Sequence, residues 1–277
     1  MQINDPRIDA GNAFDWDRTS ADYAQYRDVY PPVFYQKITD RGLCVAGQTV
    51  LDLGTGTGVL PRNLYRYGAT WTGTDLSVPQ IEQAKRLSHA AGMNIAYAAV
   101  AAEHLTYPER SFDVITACQC FWYFDHETVA PVLWRLLKED GRLLLLYLAW
   151  LPDEDAIAGK SEALVLRFNP AWTGAHESRH PIDVPKPVLR YFEIADREEY
   201  DLRIPFTRES WHGRMKACRG TGASLSPAAL AQWEAAHKAM LAAEAPDRFE
   251  VLHYAALTVL KKRETPRAVE GDDKPWF

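Results

Sequence analysis

Long hydrophobic runs are missing from this sequence. The longest apolar stretch, Leu143 to Leu151, falls far short of the ~20 residues that a membrane-spanning helix needs, so no membrane partner is expected. A surplus of basic charge is also missing. Lys and Arg number 31 against 37 Asp and Glu, a net charge of −6. A nucleic-acid partner calls for a basic stripe. The only basic run, Lys261-Lys262-Arg263, reads as a solvated strand end, and no nucleic acid is expected. Cysteine is scarce: Cys44, Cys118, Cys120 and Cys218 match no zinc spacing, so no metal is expected. The polar, acidic N-terminal stretch does not have the form of a signal peptide, which makes a reduced cytoplasm the expected setting.

What is present is a core and a pattern. Of 277 residues, 47% are hydrophobic, enough for one α/β domain with an insertion. Residues 1–20 read as loosely ordered. The stretch YAQYRDVYPPVFYQKI reads as an aromatic, apolar helical face around Pro31-Pro32. Strand and helix signals then alternate from residue 48 to 150. QTVLDLG, ATWTGTDLS, NIAYAAVAAEHL, SFDVITACQCFWYF and RLLLLYLAW read as strands. GVLPRNLYRYG, VPQIEQAKRLSHAAG and ETVAPVLWRLLKEDG read as helices. Such alternation predicts a doubly wound, mostly parallel sheet with helices on both faces. After residue 150 the pattern breaks into a helix, DEDAIAGKSEALVLRF, and a stretch rich in Pro, His and Trp. REEYDLRIPFT and FEVLHYAALTVLKKR then return as strands, with two helices between them.

The chemistry concentrates in VLDLGTGTGVL. In an open parallel sheet, ligands bind beyond the carboxyl ends of the strands, where strand order reverses. Glycines at the first turn let a ligand approach the main chain. Gly54, Gly56 and Gly58 give G-x-G-x-G, whereas the dinucleotide fingerprint is G-x-G-x-x-G. No Lys-Ser or Lys-Thr follows, as a phosphate loop requires. Asp52, two residues before Gly54, is expected to face the ligand and would repel a pyrophosphate. A ligand carrying a cation is the better match. Asp75 ends the second strand about 20 residues on, the spacing at which an acid grips ribose hydroxyls.

With these residues in view, VLDLGTGTG resembles the first motif of class I S-adenosylmethionine-dependent methyltransferases. The later segments agree. LSVPQIEQAKRL, VAAEHLTYPERSFDVI, TACQCFWYFD and WRLLKEDGRLLL resemble successive family motifs, and YAQYRDVYPPVFYQKI resembles the family's N-terminal segment. Gln119 to Asp125 is similar to small-molecule members of the trans-aconitate methyltransferase type. The resemblance covers roughly residues 20–150. It implies a seven-stranded Rossmann-like sheet with an insertion after strand five, S-adenosylmethionine as cofactor and S-adenosylhomocysteine as product. The activity it implies is methyl transfer to a small-molecule acceptor by an enzyme acting as a monomer or homodimer. It also implies site roles. The loop with Asp52, Gly54, Thr55, Gly56 and Gly58 would hold the methionine part, Asp75 the ribose, and Leu76, Gln80, Ala102 and Glu103 the adenine. Gln119, Tyr26 and Arg27 would complete the cofactor site. Ala101 departs from the family's usual Asp, so its contact with the adenine amino group must be lost or supplied by Glu103.

An in-line displacement at an activated methyl requires donor and acceptor held collinear and dry, so no fixed catalytic residue is assigned. A base is needed only for a protonated acceptor, with His126, His176, His180, His212 and His253 as candidates. A carboxylate acceptor would instead want arginines, and Arg179, Arg214 and Arg219 are at hand. Trp122, Tyr147, Trp150 and Trp172 are expected to wall the acceptor. The organisation expected is an N-terminal segment 1–40 over the cofactor, a binding core 41–150, a cap 151–196 over the acceptor, C-terminal strands and helices 197–263, and a mobile tail 264–277. The alternatives are a cofactor-binding protein without transfer activity, an arsenite methyltransferase using the cysteines, and a nicotinamide oxidoreductase.

Overall fold

The computed structural model describes residues 2–28 and 30–267. A short antiparallel pair, β1 (Gln2–Ile3) and β2 (Phe14–Asp15), precedes helices α1 (Ser20–Tyr26) and α2 (Pro32–Thr39). The main sheet follows with β3 (Thr49–Leu53), β4 (Thr70–Asp75), β5 (Ala96–Ala99), β6 (Phe112–Cys118), β7 (Leu137–Trp150), β8 (Phe192–Thr207) and β9 (Arg248–Lys262). Between these strands lie α3 (Val59–Leu64), α4 (Val78–Ala90), α5 (His126–Leu136), α6 (Ala156–Phe168), α7 (Lys186–Tyr191), α8 (Arg208–Lys216) and α9 (Pro227–Glu244).

The seven strands run in the order β5-β4-β3-β6-β7-β9-β8. The first five are parallel, and β9 is antiparallel to both neighbours. The doubly wound, seven-stranded expectation therefore holds. Strand order reverses between β3 and β6, so the glycine loop after β3 and the end of β6 open onto one crevice.

Period-two alternation divides each central strand between two buried layers. On β7, Leu144, Leu146, Leu148 and Trp150 enter one core, while Leu143, Leu145 and Ala149 enter the other. On β3, Val50 faces the first layer and Leu51 and Leu53 the second. Helices cover both faces, which is why these strands are apolar throughout.

Several boundaries differ from the sequence reading. The N-terminal aromatic stretch is two helices, because Pro32 sits in the first turn of α2 and starts a new helix there. Helix α5 stops at Leu136, where Leu137 turns extended (ψ 140°). Leu137 pairs with Phe112 before a register shift leads to Val114 opposite Arg142. Strand β8 begins at Phe192, not 197. The basic run at the end of β9 is only partly solvated. Lys262 Nζ donates to Leu137 O (2.7 Å) from a buried side chain, and Arg263 pairs with Glu193 (3.0 Å).

Residues 8–19 pack closely, contrary to their loose reading. Ile8 and Phe14 are buried with Ala223, and the buried Asp9 meets Arg219 and Thr173. Of the expected tail, Arg267 N–H donates to Arg190 O (2.9 Å), and 268–277 lie outside the described residues. Among the described residues no helix is long and apolar enough to cross a membrane.

Candidate functional site

Beyond the carboxyl ends of β3, β4, β6 and β7 lies a cavity of about 580 Å³, within the range of small-ligand sites. One half is built by the glycine loop and its neighbours. Gly54, Gly56 and Gly58 all take positive φ (55°, 55° and 75°), which costs a side chain strain but suits glycine. The space matters as well. A Cβ on Gly54 would sit 2.7 Å from Cys120 Sγ, and one on Gly58 would sit 2.3 Å from Tyr97 Oη. The loop therefore has no room for a side chain at either position.

Asp75 organises this half. Its carboxylate accepts from Gly56 N and Ser77 N (2.9 Å each), so one acid fixes both the glycine loop and the start of α4. The Leu76 N–H also bears on it, and of the roughly four acceptor positions of a carboxylate not all are used. Burial raises the Asp75 pKa, and these N–H donors oppose the rise. Ser77 caps α4, as its position implies, by accepting from Gln80 N (3.3 Å). It also donates to Asp17 (2.5 Å) in the N-terminal segment. Gln80 is buried on the cavity wall, and its Oε1 has no partner among the described residues.

Asp52 lies behind the loop rather than on the wall. It is buried and accepts from Thr116 Oγ1 (2.6 Å). Burial pushes its pKa up to about 7, against the pull of that hydrogen bond. Thr55 is buried under the same loop, with its N–H on Thr74 O (2.9 Å). Tyr26 lies elsewhere, with its hydroxyl donating to Glu209 (3.4 Å) and its ring against Gly213. Thus Asp52, Thr55, Gly58 and Tyr26 are not wall residues. Arg27, Gly54, Gly56, Asp75, Leu76, Gln80, Ala102, Glu103 and Gln119 are. Glu103 Oε1 accepts from Asp125 N (3.0 Å), which ties one oxygen to the chain and leaves the other. Gln119 takes a positive φ of 67° at the end of β6. Its amide donates to Leu148 O, so the strained backbone is held by the next strand.

The other half is walled by Trp122, Tyr147, Trp150 and Trp172 together. Trp122 and Tyr147 meet edge to face at 5.0 Å, and Trp150 and Trp172 lie 6.4 Å apart. Tyr147 and Trp150 come from opposite faces of β7 and converge only at the strand's end. Glu177 accepts from Tyr147, Tyr254 (3.1 Å) and His180 (2.9 Å). Burial works to raise the Glu177 pKa, but these donors hold it below the usual carboxylate range.

The histidines sort by position. His180 has Nε2 on Glu177 and Nδ1 on Pro181 O (3.0 Å), so both nitrogens face acceptors. Its pKa is raised by Glu177. His126 on the wall commits Nε2 to Phe121 O (2.9 Å). His176, His212 and His253 do not reach the cavity.

Sequence reasoning missed Ile8, Trp16 and Tyr23 on the wall. Their signal was the aromatics Phe14 and Trp16 in a polar stretch. Of the thiols weighed for the arsenite alternative, Cys44 lies off the wall. Cys118, Cys120 and Cys218 line the cavity, and burial pushes the Cys118 pKa up to about 12, which keeps it protonated. Among the described residues no group of three His, Cys, Asp or Glu is placed to hold a metal ion.

Comparison with known proteins bears on this geometry. A family model described as a methyltransferase domain matches residues 51–145, which span β3 to β7 and most of the glycine-loop half. The ubiquinone biosynthesis O-methyltransferase of Pseudomonas entomophila is 27% identical over 190 residues, 68% of this chain and 79% of that one. The demethylmenaquinone methyltransferase of Thermus thermophilus is 33% identical over 114 residues, 40% of this chain and 52% of that one. Among solved structures, a Haemonchus contortus phosphoethanolamine N-methyltransferase 2 complexed with S-adenosylhomocysteine superposes with a TM-score of 0.53. It is 18% identical and covers 90% of this chain and 58% of its own. At that identity the likeness speaks for the fold.

Proposed function

We propose that this chain is a class I S-adenosylmethionine-dependent methyltransferase acting on a small molecule, and that the cavity binds the cofactor in its glycine-loop half and the methyl acceptor in its aromatic half. The observation that carries this division is the unpartnered, buried Gln80 Oε1 beside an Asp75 carboxylate with acceptor capacity to spare. A nucleoside with a ribose diol and an amino group supplies the donors those oxygens lack. When bound, the cofactor supplies a methyl group already activated on a sulfonium.

The residues then divide the work. Asp75 would take the ribose hydroxyls. Leu76, exposed at 45% yet on the wall, offers an apolar platform for the adenine, with Gln80, Ala102 and Glu103 around it. Gly54, Gly56 and Gln119 leave main chain open beside the methionine part. Arg27, stacked on Tyr23 at 4.7 Å, would meet the methionine carboxylate. Asp52, from its place behind the loop, acts through its field. Ile8, Trp16 and Tyr23 close the cavity from the N-terminal segment, and Trp172 from the cap, which excludes water and holds the acceptor in line. The protein would work in the cytoplasm as a monomer or homodimer.

The test has two parts. Calorimetry should show S-adenosylhomocysteine binding to the purified chain, and labelled S-adenosylmethionine should pass its methyl to members of a panel of small acids, phenols and amines. Trp122→Ala should cost turnover about tenfold or more while S-adenosylhomocysteine affinity stays within about twofold. If both fall together, Trp122 belongs to the cofactor half. If the cofactor does not bind at all, the assignment fails.

A further inference from the structure

Of the arginines near the acceptor half, all but two are already neutralised by the chain's own acids. Arg179 is half exposed and forked onto Glu154 and Asp201. Arg219 is buried, but its Nε lies 3.0 Å from Asp9 Oδ2, with further bonds to Tyr123 (2.9 Å) and Thr173 (3.0 Å). Arg214 and Arg27 differ. Arg214 is only 4% exposed, lines the cavity and has no carboxylate within ion-pairing distance among the described residues. Its Nη1 reaches Cys218 Sγ (3.1 Å), and its guanidinium lies 5.0 Å from the Trp150 ring. Its Nε has no partner among the described residues. A thiol and an aromatic face do not neutralise a buried cation, and the arginine beside it makes the deficit worse. Arg27 reaches the same sulfur (3.9 Å), so two cations are neighbours. His253 is buried and kept neutral.

A buried, uncompensated charge is costly. Arg27 has a role in the methionine carboxylate, under the division proposed above. Arg214 is left over. Resting on that division, we propose that Arg214 is the anchor for a carboxylate of the methyl acceptor, so that the substrate class is small organic acids with an apolar body. The planar guanidinium fork matches a carboxylate in a bidentate manner, and Trp150 and Trp172 provide an apolar surface beside it.

The experiment uses the intact chain saturated with S-adenosylhomocysteine. Phenylacetate, hexanoate and succinate are titrated against the matching amides, read by calorimetry and tryptophan fluorescence. At least one carboxylate should bind about tenfold or more tightly than its amide, the ratio a charge-assisted pair confers. Arg214→Gln should abolish that ratio and Arg214→Lys should restore part of it. S-adenosylhomocysteine and 5′-methylthioadenosine, which lacks the amino-acid part, should keep their wild-type affinities in Arg214→Gln. Arg27→Gln should weaken the first and spare the second. Equal binding of acid and amide in the wild-type chain overturns the proposal without any variant. Selective loss of S-adenosylhomocysteine affinity in Arg214→Gln also overturns it, by giving Arg214 to the cofactor. Failure of the wild-type chain to bind S-adenosylhomocysteine would instead sink the cofactor assignment on which the proposal rests.

Discussion

The two halves of the cavity are built by different means. The glycine-loop half is made of main chain and one short stretch after each of β3, β4, β5 and β6. Its key contacts, Asp75 to Gly56 N and to Ser77 N, join segments next to each other in the sheet. The aromatic half is made of side chains from segments far apart in sequence. Trp122, Trp150, Trp172 and Arg214 come from four elements, and the N-terminal segment is fastened to them through Asp9. A main-chain site needs specific residues at fixed spacing, since only glycine adopts its φ values cheaply. A side-chain site needs only that the right groups arrive in one place. The first should therefore lose ligand affinity when damaged, and the second should lose packing as well.

The largest break is expected at Asp9–Arg219. Arg219 is 7% exposed at the side chain and Asp9 is 1%. The Nε–Oδ2 distance is 3.0 Å, although the angle is not that of a hydrogen bond. Removing one member strands the other in the interior, which costs ~3–5 kcal/mol. Arg219→Ala should accordingly lower the midpoint of denaturant unfolding and make the first twenty residues sensitive to protease. Asp9→Asn with Arg219→Gln, which leaves no buried charge, should recover part of the loss. Equal damage from single and double variants would show that the charges are not coupled.

Asp75→Ala is the matching cut in the loop half, with a smaller expected effect. The variant should lose ~1.5–3 kcal/mol of S-adenosylhomocysteine affinity, the range for hydrogen bonds to a charged group. Part of that loss comes through Gly56 N and Ser77 N, which would lose their acceptor. Asp75→Asn keeps one acceptor and should lie between the two. Wild-type affinity in Asp75→Ala would erase the proposed ribose contact and much of the contrast between the halves.

The same contrast explains what could be read from the sequence. The alternation of strand and helix and the glycine turn at the switch point were legible, because each rests on a local rule. The wall position of Asp52 was not legible. Spacing placed it near the loop, but the pleat turned its carboxylate under the loop toward Thr116. Tyr26 was misplaced for a similar reason, since Pro32 starts a new helix and α1 sets that ring against Gly213. The N-terminal segment read as loose because its stability comes from Arg219, Thr173 and Ala223, more than 160 residues away in sequence. Among the three arginines considered for the acceptor, composition gave no ranking. Only their partners separate Arg214 from Arg179 and Arg219.

A pH series tests whether Asp52 belongs functionally to the loop half at all. Its folded pKa, pushed up by burial to about 7, lies above the ~3.9 of an exposed aspartate. Between those two values the folded chain holds a proton that the unfolded chain has released. Stability contributed by Asp52 is then fully present below about pH 4 and falls as pH rises toward 7. Asp52→Asn keeps an oxygen for the Thr116 hydroxyl and removes the titration. Thermal melts should show the variant level with wild type at pH 4 and on the order of ten degrees more stable at pH 8, with the gap opening between those limits. A gap of constant size across the range would mean that Asp52 stays ionised in the folded chain. The field it casts under the loop would then be permanent, acting on the cofactor's cation from behind the backbone without a contact.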